Sequence, residues 1–551
     1  TPHLDALHGE SLRLTDYHVS PTCTPTRAAL LTGRYTNRTG AWHTIMGRSL
    51  LRADERTMAD HFGQAGYETG IFGKWHLGDA YPFTPQHRGF KKTFVHGGGG
   101  VGQTPDLWNN SYFDDVYLED GKPVASQGFC TDVFFAEATQ YIESQVAVGK
   151  PFFAYISTNA PHGPLHCPEK YLARYPDLQP ALQAFYGMIT NIDDNVGALR
   201  KKLKDLGVAE NTIFIFTTDN GTAGGARAFS AGMRGNKGSP YEGGHRVPFF
   251  LHWPAQGWHE GRDIDTLTAH IDVLPTLADY CGVSLAEAPP IDGRSLRPLL
   301  EGDGGGEEWA GRVIITDSQR VVDPIKWKSS SVMKGRYRLI KGKELYDLAT
   351  DPGQRKNLAG ENPQKVAELR AAYEAWWADL EPGFAKTAAF QVGVIDEPME
   401  LTAHDLISEG GANDVAWHQG SIRAGKITGI GKSGRPAHWF IEVKKAGKYR
   451  ATLSRYPLSA GLALQAPAPA LPDVPGASKA FRTTPGRALD IRTAKIWLGG
   501  EVVAEKEAAE GAVSVVLDIE LPAGRHELAA TFHGPGLDTV AYYLTLAERV
   551  D

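Results

Sequence analysis

Cys23 lies in Ser20-Pro21-Thr22-Cys23-Thr24-Pro25-Thr26-Arg27, which runs on into Ala28-Ala29-Leu30-Leu31-Thr32-Gly33-Arg34. Thr24 is a fair N-cap, and Pro25 suits the first helical position, where a missing N–H costs nothing. Ala28 to Leu31 propagates the helix and Gly33 can end it. Cys23 is thus expected beside free backbone N–H groups at a positive helix end, with Arg27 one turn on. That is a place to handle an anion. By itself the cysteine reads either as a buried structural thiol or as a thiolate nucleophile whose pKa the helix end lowers.

Four further segments carry chemistry. Gly73-Lys74-Trp75-His76-Leu77-Gly78 puts a cation and an imidazole two residues apart on a glycine-flanked loop, or is a turn with incidental charge. Asn159-Ala160-Pro161-His162-Gly163-Pro164 displays an imidazole between prolines, which suits proton transfer to a leaving oxygen; a plain surface histidine is the alternative. His166 lies close by and is expected to touch substrate. Thr217-Thr218-Asp219-Asn220-Gly221 offers the hard oxygens that Ca²⁺ prefers, though Asp-Asn-Gly is also a common turn. Met233-Arg234-Gly235-Asn236-Lys237-Gly238 precedes Tyr241-Glu242-Gly243-Gly244-His245-Arg246-Val247-Pro248, in which His245 is given no role. Gly97–Gly100 and Gly431-Lys432-Ser433 fail as phosphate loops, and Asp114-Asp115 reads as exposed loop rather than an acid/base pair.

Taken in order, Cys-x-Pro-x-Arg at 23–27, Gly-Lys-x-His-x-Gly at 73–78, Pro-His-x-Pro at 161–164, Thr-Asp-Asn-Gly at 218–221 and the Lys237 to Pro248 block resemble the formylglycine-dependent sulfatases. These are arylsulfatase-type enzymes of the alkaline phosphatase superfamily, and the likeness spans roughly residues 1–380. The resemblance implies that Cys23 is oxidised to formylglycine (3-oxoalanine) by a maturation enzyme, and that its hydrate attacks sulfur. It implies Ca²⁺ held by Cys23, Asp219 and Asn220. Arg27, Lys74 and Lys237 would neutralise sulfonyl oxygens, with Lys74 also pairing the hydrate and Lys237 the bridging oxygen. His76 would hydrogen-bond the formylglycine, and His162 or Lys237 would protonate the leaving alcohol.

Positioning these loops calls for an α/β scaffold. Continuous apolar runs such as Phe152–Ser157 and Thr212–Thr217, with Leu12–Val19, Glu68–Phe72 and Val247–Trp253, alternate with helices at Glu55–Gln64, Asp132–Gln145, Ala181–Asp205 and Ile271–Cys281. This predicts a doubly wound, mostly parallel sheet over residues 1–311, with ligands at the strand ends. Residues 312–384 read as a small antiparallel subdomain closed by a helix over Pro363–Leu380, with Val366, Leu369, Tyr373 and Trp376 as its core face. Residues 385–551 alternate apolar and polar between Gly/Pro turns, an accessory β-sandwich. Trp42, His43, Trp75 and Trp108 are candidate sugar-stacking walls.

A net charge of −7 gives no support for nucleic-acid binding, and no apolar run reaches the ~18 residues of a membrane span. Four cysteines are too few for a disulfide framework in 551 residues. The chain opens on a helix, Thr1 to Leu7, without the strand whose end carries an Asp-Asp metal pair in the family. The expectation is therefore an N-terminal segment beyond this sequence, and an under-coordinated metal without it. Sulfated carbohydrate or aryl sulfate is the expected substrate, in a periplasmic or extracellular setting. Two rival readings are a phosphomonoester or phosphonate hydrolase of the same superfamily, and an inactive scaffold that binds sulfated glycans.

Overall fold

The computed structural model describes residues 1–302, 304–478, 483 and 485–548. Two larger sheets and one two-stranded sheet carry the first 300 residues. One has the order Lys122–Ala125, Val116–Glu119, Lys92–His96, Glu68–Lys74, Phe152–Ser157, with its three site-bearing strands parallel. The other has the order Arg262–Ile264, Leu12–Leu14, Phe249–His252, Phe214–Thr217. Two expectations change here. The run Leu12–Val19 breaks at a turn, so that Tyr17–His18 pairs separately with Thr268–Ala269. Phe249–His252 runs antiparallel to both its neighbours, because the long loop 218–248 returns the chain without a crossover helix.

Phe152–Ser157 and Phe214–Thr217 send alternate side chains into the same two apolar clusters. Phe153, Tyr155 and Ile215 enter one; Phe152, Ala154, Ile156, Phe214 and Phe216 enter the other. Among the described residues each strand has a sheet partner on one edge only, and most of these side chains stay half-buried. Long helices Cys130–Ala147 and Pro180–Asp205 cover one face. No helix among the described residues is long and apolar enough to cross a membrane.

The small subdomain is a four-stranded antiparallel sheet, Val313–Thr316, Ser331–Lys334, Tyr337–Ile340 and Glu344–Asp347, under the helix Pro363–Leu380. Leu369, Tyr373 and Trp377 are that helix's buried face; Trp377, one position on from the expected Trp376, takes the core place. Beyond it two sheets face each other across one core, Trp439, Ile441, Tyr449, Leu453, Leu517, Ile519, Phe532 and Leu544 among its members. Val515–Leu521 shows strict in-out alternation, as a sandwich strand should. That core also takes in Leu50, Ala80 and Phe83 from the catalytic part, so the β domain is not separated by a polar interface.

Candidate active site

Cys23 is the first residue of the helix Cys23–Thr32, with Thr22 as N-cap and Gly33 in the left-handed conformation closing it. The helix starts two residues before the expected Thr24–Pro25 boundary. Pro25 falls inside the first turn, where backbone N–H groups have no intrahelical acceptor, so its missing donor is still free of cost. Thr24 instead donates its hydroxyl to the His76 carbonyl at 3.0 Å, tying the cysteine turn to the 73–78 loop.

Lys74 is set by its own carbonyl, which accepts from Arg27 Nη1 at 2.5 Å and from Ser157 Oγ at 2.7 Å. Gly73 lies at φ 119°, and a Cβ there would meet the Ser157 carbonyl at 2.3 Å, so only glycine allows that approach. Arg27 Nη2 reaches Asp219 Oδ2 at 3.3 Å. Lys237 enters from a loop whose backbone is bonded to both sides of the site. The Lys237 amide donates to the Thr222 carbonyl at 3.0 Å, and the Gly238 amide to the Pro21 carbonyl at 2.8 Å. Gly221 and Gly243 pack with no room for a side chain, a Cβ on Gly221 falling 1.8 Å from the Gly243 carbonyl.

The electrostatics converge on the cysteine. Burial raises the Cys23 thiol, but Lys74 and Lys237 outweigh burial and bring its pKa down to about 6. Burial lowers Lys74 to about 8, while Cys23 pulls it up. Asp219 is held far below the carboxylate range: Arg27, Lys74 and Lys237 overcome its burial. Burial, then Lys74 and Lys237, lower His162 to about 3 and keep it neutral; its Nδ1 faces the Gly163 carbonyl at 2.8 Å. His76 is likewise neutral, with Nε2 donating to the Thr44 carbonyl at 2.9 Å. That bond leaves the lone pair on Nδ1, which has no partner among the described residues. Lys74, His162, Asp219 and Lys237 thus surround one thiol with cations, a neutral base and a single carboxylate, with His76 next to Lys74 in the same loop.

The metal fit is partial. Asp219 offers a carboxylate and Asn220 a buried Oδ1 without a partner among the described residues, the donor chemistry that a hard cation takes. Together with the residue at 23 they supply three protein ligands, against the six or more oxygens that Ca²⁺ prefers, so this donor set does not complete a calcium site.

His166 is not a substrate ligand. It is fully buried, with Nδ1 on the Ser111 carbonyl and Nε2 on the Ser478 carbonyl, both at 2.8 Å. Trp42, His43 and Trp75 are packed in the interior, with Trp42 Nε1 donating to the Val321 carbonyl and Trp75 Nε1 to the Phe83 carbonyl, and Trp108 packs against Tyr456. Asp115 is buried and accepts from the Ser111 and Tyr112 amides, fixing a turn rather than sitting in an exposed loop.

Gly97–Gly100, set aside above as no phosphate loop, is part of the site. A Cβ on Gly99 would lie 2.0 Å from the His76 ring, and one on Gly100 would lie 3.2 Å from His162 Nδ1. Gly99 and Gly100 leave room for the two imidazoles, while a Cβ on Gly97 would lie 2.1 Å from the Pro105 carbonyl. A run of four glycines after a strand was the available signal.

The sulfatase family model matches residues 1–283, more than half of the chain. The chain belongs to the sulfatase family. The C-terminal model of N-sulphoglucosamine sulphohydrolase matches residues 236–375, which take in the small subdomain. Arylsulfatase A of Homo sapiens is 31% identical over 437 residues, covering 67% of this chain and 81% of its own. The ulvan-active sulfatase of Formosa agariphila is 30% identical over 332 residues, covering 55% of this chain and 60% of its own. The crystal structure of Ps i-CgsB with k-i-k-neocarrahexaose superposes with a TM-score of 0.61 at 25% identity, covering 68% of this chain and 87% of that one. Sulfate-ester hydrolysis is the reaction of this sulfatase, on the alkaline-phosphatase scaffold. A metal ion and a formylglycine are general features of that family.

Proposed function

We propose that this sulfatase removes sulfate from a sulfated saccharide, with Cys23 converted to formylglycine by a maturation enzyme. The observation that carries the reading is the convergence of Lys74, Lys237 and His162 on Cys23, backed by the Arg27–Asp219 pair. Formylglycine, when formed, supplies a hydrated aldehyde as the nucleophile. Lys74 and Lys237 stabilise negative charge on the sulfonyl oxygens, and their fixed positions cost no reorganisation during reaction. Lys237 would give the leaving oxygen its proton, and His162, neutral with Nδ1 turned to the Gly163 carbonyl, would accept a hydrogen bond beside it through Nε2. His76, donating through Nε2 to Thr44, keeps Nδ1 free to take a proton. Asp219 and Asn220 would hold part of a calcium site.

Saccharide rather than simple aryl sulfate is favoured by two similar proteins, one acting on ulvan and one bound to a neocarrahexaose. A periplasmic or extracellular location follows from that substrate class. The test is co-expression with a formylglycine-generating enzyme, mass spectrometry of the Cys23 peptide, and hydrolysis of aryl sulfate beside aryl phosphate. Conversion at Cys23 with sulfate turnover, and none in Cys23→Ala, is expected. Wild-type turnover in Cys23→Ala, or preference for the phosphate ester, refutes it.

A further inference from the structure

We propose that the C-terminal β domain is a working part of the sulfatase site, and that its His404 is the positioning residue that seats His76. The inference rests on the reading of His76 as a site residue and deepens it.

The β domain reaches the catalytic loops at three places. The Cys167 amide donates to the Pro475 carbonyl and the Ala477 amide to the Leu165 carbonyl, clamping the chain just after His162. The Thr104 amide donates to the Trp417 carbonyl, and Gln419 Nε2 donates to the Gln103 and Asp106 carbonyls, holding the segment that follows Gly97–Gly100. The third contact goes deepest. The His404 carbonyl accepts from the Met46 amide at 2.9 Å, and Asp405 Oδ1 accepts from Ser49 Oγ at 3.1 Å. This fixes the segment 43–49, whose Thr44 carbonyl is the acceptor for His76 Nε2.

The His404 ring itself faces His76, with centroids 6.0 Å apart and planes tilted by 57°. His404 is 1% exposed and Asp405 4%. His404 Nδ1 lies 3.2 Å from Asp405 Oδ1, and Asp79, three residues after His76, brings its carboxylate into the same cluster, the three ligand-capable atoms lying within 4.8 Å of one another. Asp79 is anchored in turn by the Gly98 amide at 2.7 Å, on the glycine run beneath His76. Burial by itself would lower the His404 pKa, but Asp405 and then Asp79 outweigh it and raise the pKa, so the ring is held by its two acidic neighbours. The His76 side chain is therefore bounded by Gly99 on one side, the Thr44 carbonyl at Nε2, and the His404 ring. Two of those three boundaries are set by the β domain.

The test uses the full chain with His404→Gln and Asp79→Asn, the latter near-isosteric and still able to accept from Gly98. Two readouts are taken: steady-state hydrolysis of a small aryl sulfate, and the ring-nitrogen NMR signals of His76 and His162. His404→Gln should lower kcat about 30-fold with KM changed less than about threefold, because the loss is in orientation rather than in binding. Asp79→Asn should lower kcat about fivefold by the same logic. In both variants the His76 signals should move while those of His162 stay in place. Unmoved His76 signals in both variants, or unchanged kcat in both, overturn the proposal. If His404→Gln does not fold, Asp79→Asn decides by the same two readouts. A wild type that cleaves no sulfate ester would refute the proposed function, yet the His76 signals would still decide whether His404 seats it.

Discussion

Arg338→Met tests how the small subdomain secures the Lys237 loop. Arg338 is 1% exposed; its Nε donates to Glu242 Oε1 at 2.9 Å and its Nη2 to Asp16 Oδ1 at 2.7 Å. Asp16 also meets His18 Nε2 at 2.9 Å, and His18 Nδ1 meets His245 Nδ1 at 2.9 Å, so one guanidinium anchors a buried polar chain. Methionine keeps the volume but leaves the Glu242 side chain, at 0% exposure, without its hydrogen-bonded cation. Breaking such a pair from one side costs about 3–5 kcal/mol. Glu242 opens the turn whose Gly243 and Gly244 hold the Arg234 and Gly221 backbones, so kcat/KM should fall as well.

Equilibrium urea unfolding of Arg338→Met, Glu242→Gln and the double variant measures this. The double variant should lose at least 2 kcal/mol less than the sum of the singles, because neutral glutamine no longer needs the cation. The pH dependence follows with a definite sign. Arg338, then His18 and His245, overcome burial and depress Glu242 from 4.5 to about 2 in the folded chain. Its contribution is present above pH 4.5 and is lost as pH falls through about 2, and Arg338→Met should flatten that acid limb. A cost under 1 kcal/mol, or simple additivity of the two substitutions, refutes the reasoning.

Other outcomes follow from the same geometry. In unmodified protein, thiolate absorbance should rise with a midpoint near pH 6, and Lys74→Met should move that midpoint upward; Cys130, Cys167 and Cys281 are all raised by burial, so the signal belongs to Cys23. Gly99→Ala should displace His76, lower kcat about 100-fold and cost about 1–3 kcal/mol of stability through overpacking, read by steady-state kinetics and urea unfolding. His166→Ala should cost about 2–3 kcal/mol in urea unfolding through the buried hydrogen bonding it removes and the cavity it leaves, and KM for an aryl sulfate should not change.

The strands and the polar residues at their ends were legible because each motif follows an apolar run and is punctuated by glycine or proline. Phe152–Ser157 and Pro363–Leu380 fall where the pattern puts them. The start of the Cys23 helix was not, because proline is tolerated throughout a first turn and does not mark its first residue. His404 was invisible, since nothing local links it to a residue more than 300 positions earlier. His166 misled for the opposite reason: closeness in sequence to His162 says nothing of which carbonyls its two nitrogens will find. The glycine run was judged by what a phosphate would need, whereas here it makes room for imidazoles.

Leu50, Ala80 and Phe83 share one apolar core with Trp439, Tyr449 and Phe532. A recombinant exchange of the β domain with that of a relative therefore has no clean seam at residue 385. A viable chimera must carry residues 43–50 and 76–83 with the donor's β domain, and so must import part of the donor's active site. In this architecture the module that looks portable and the loops that do the chemistry are inherited together.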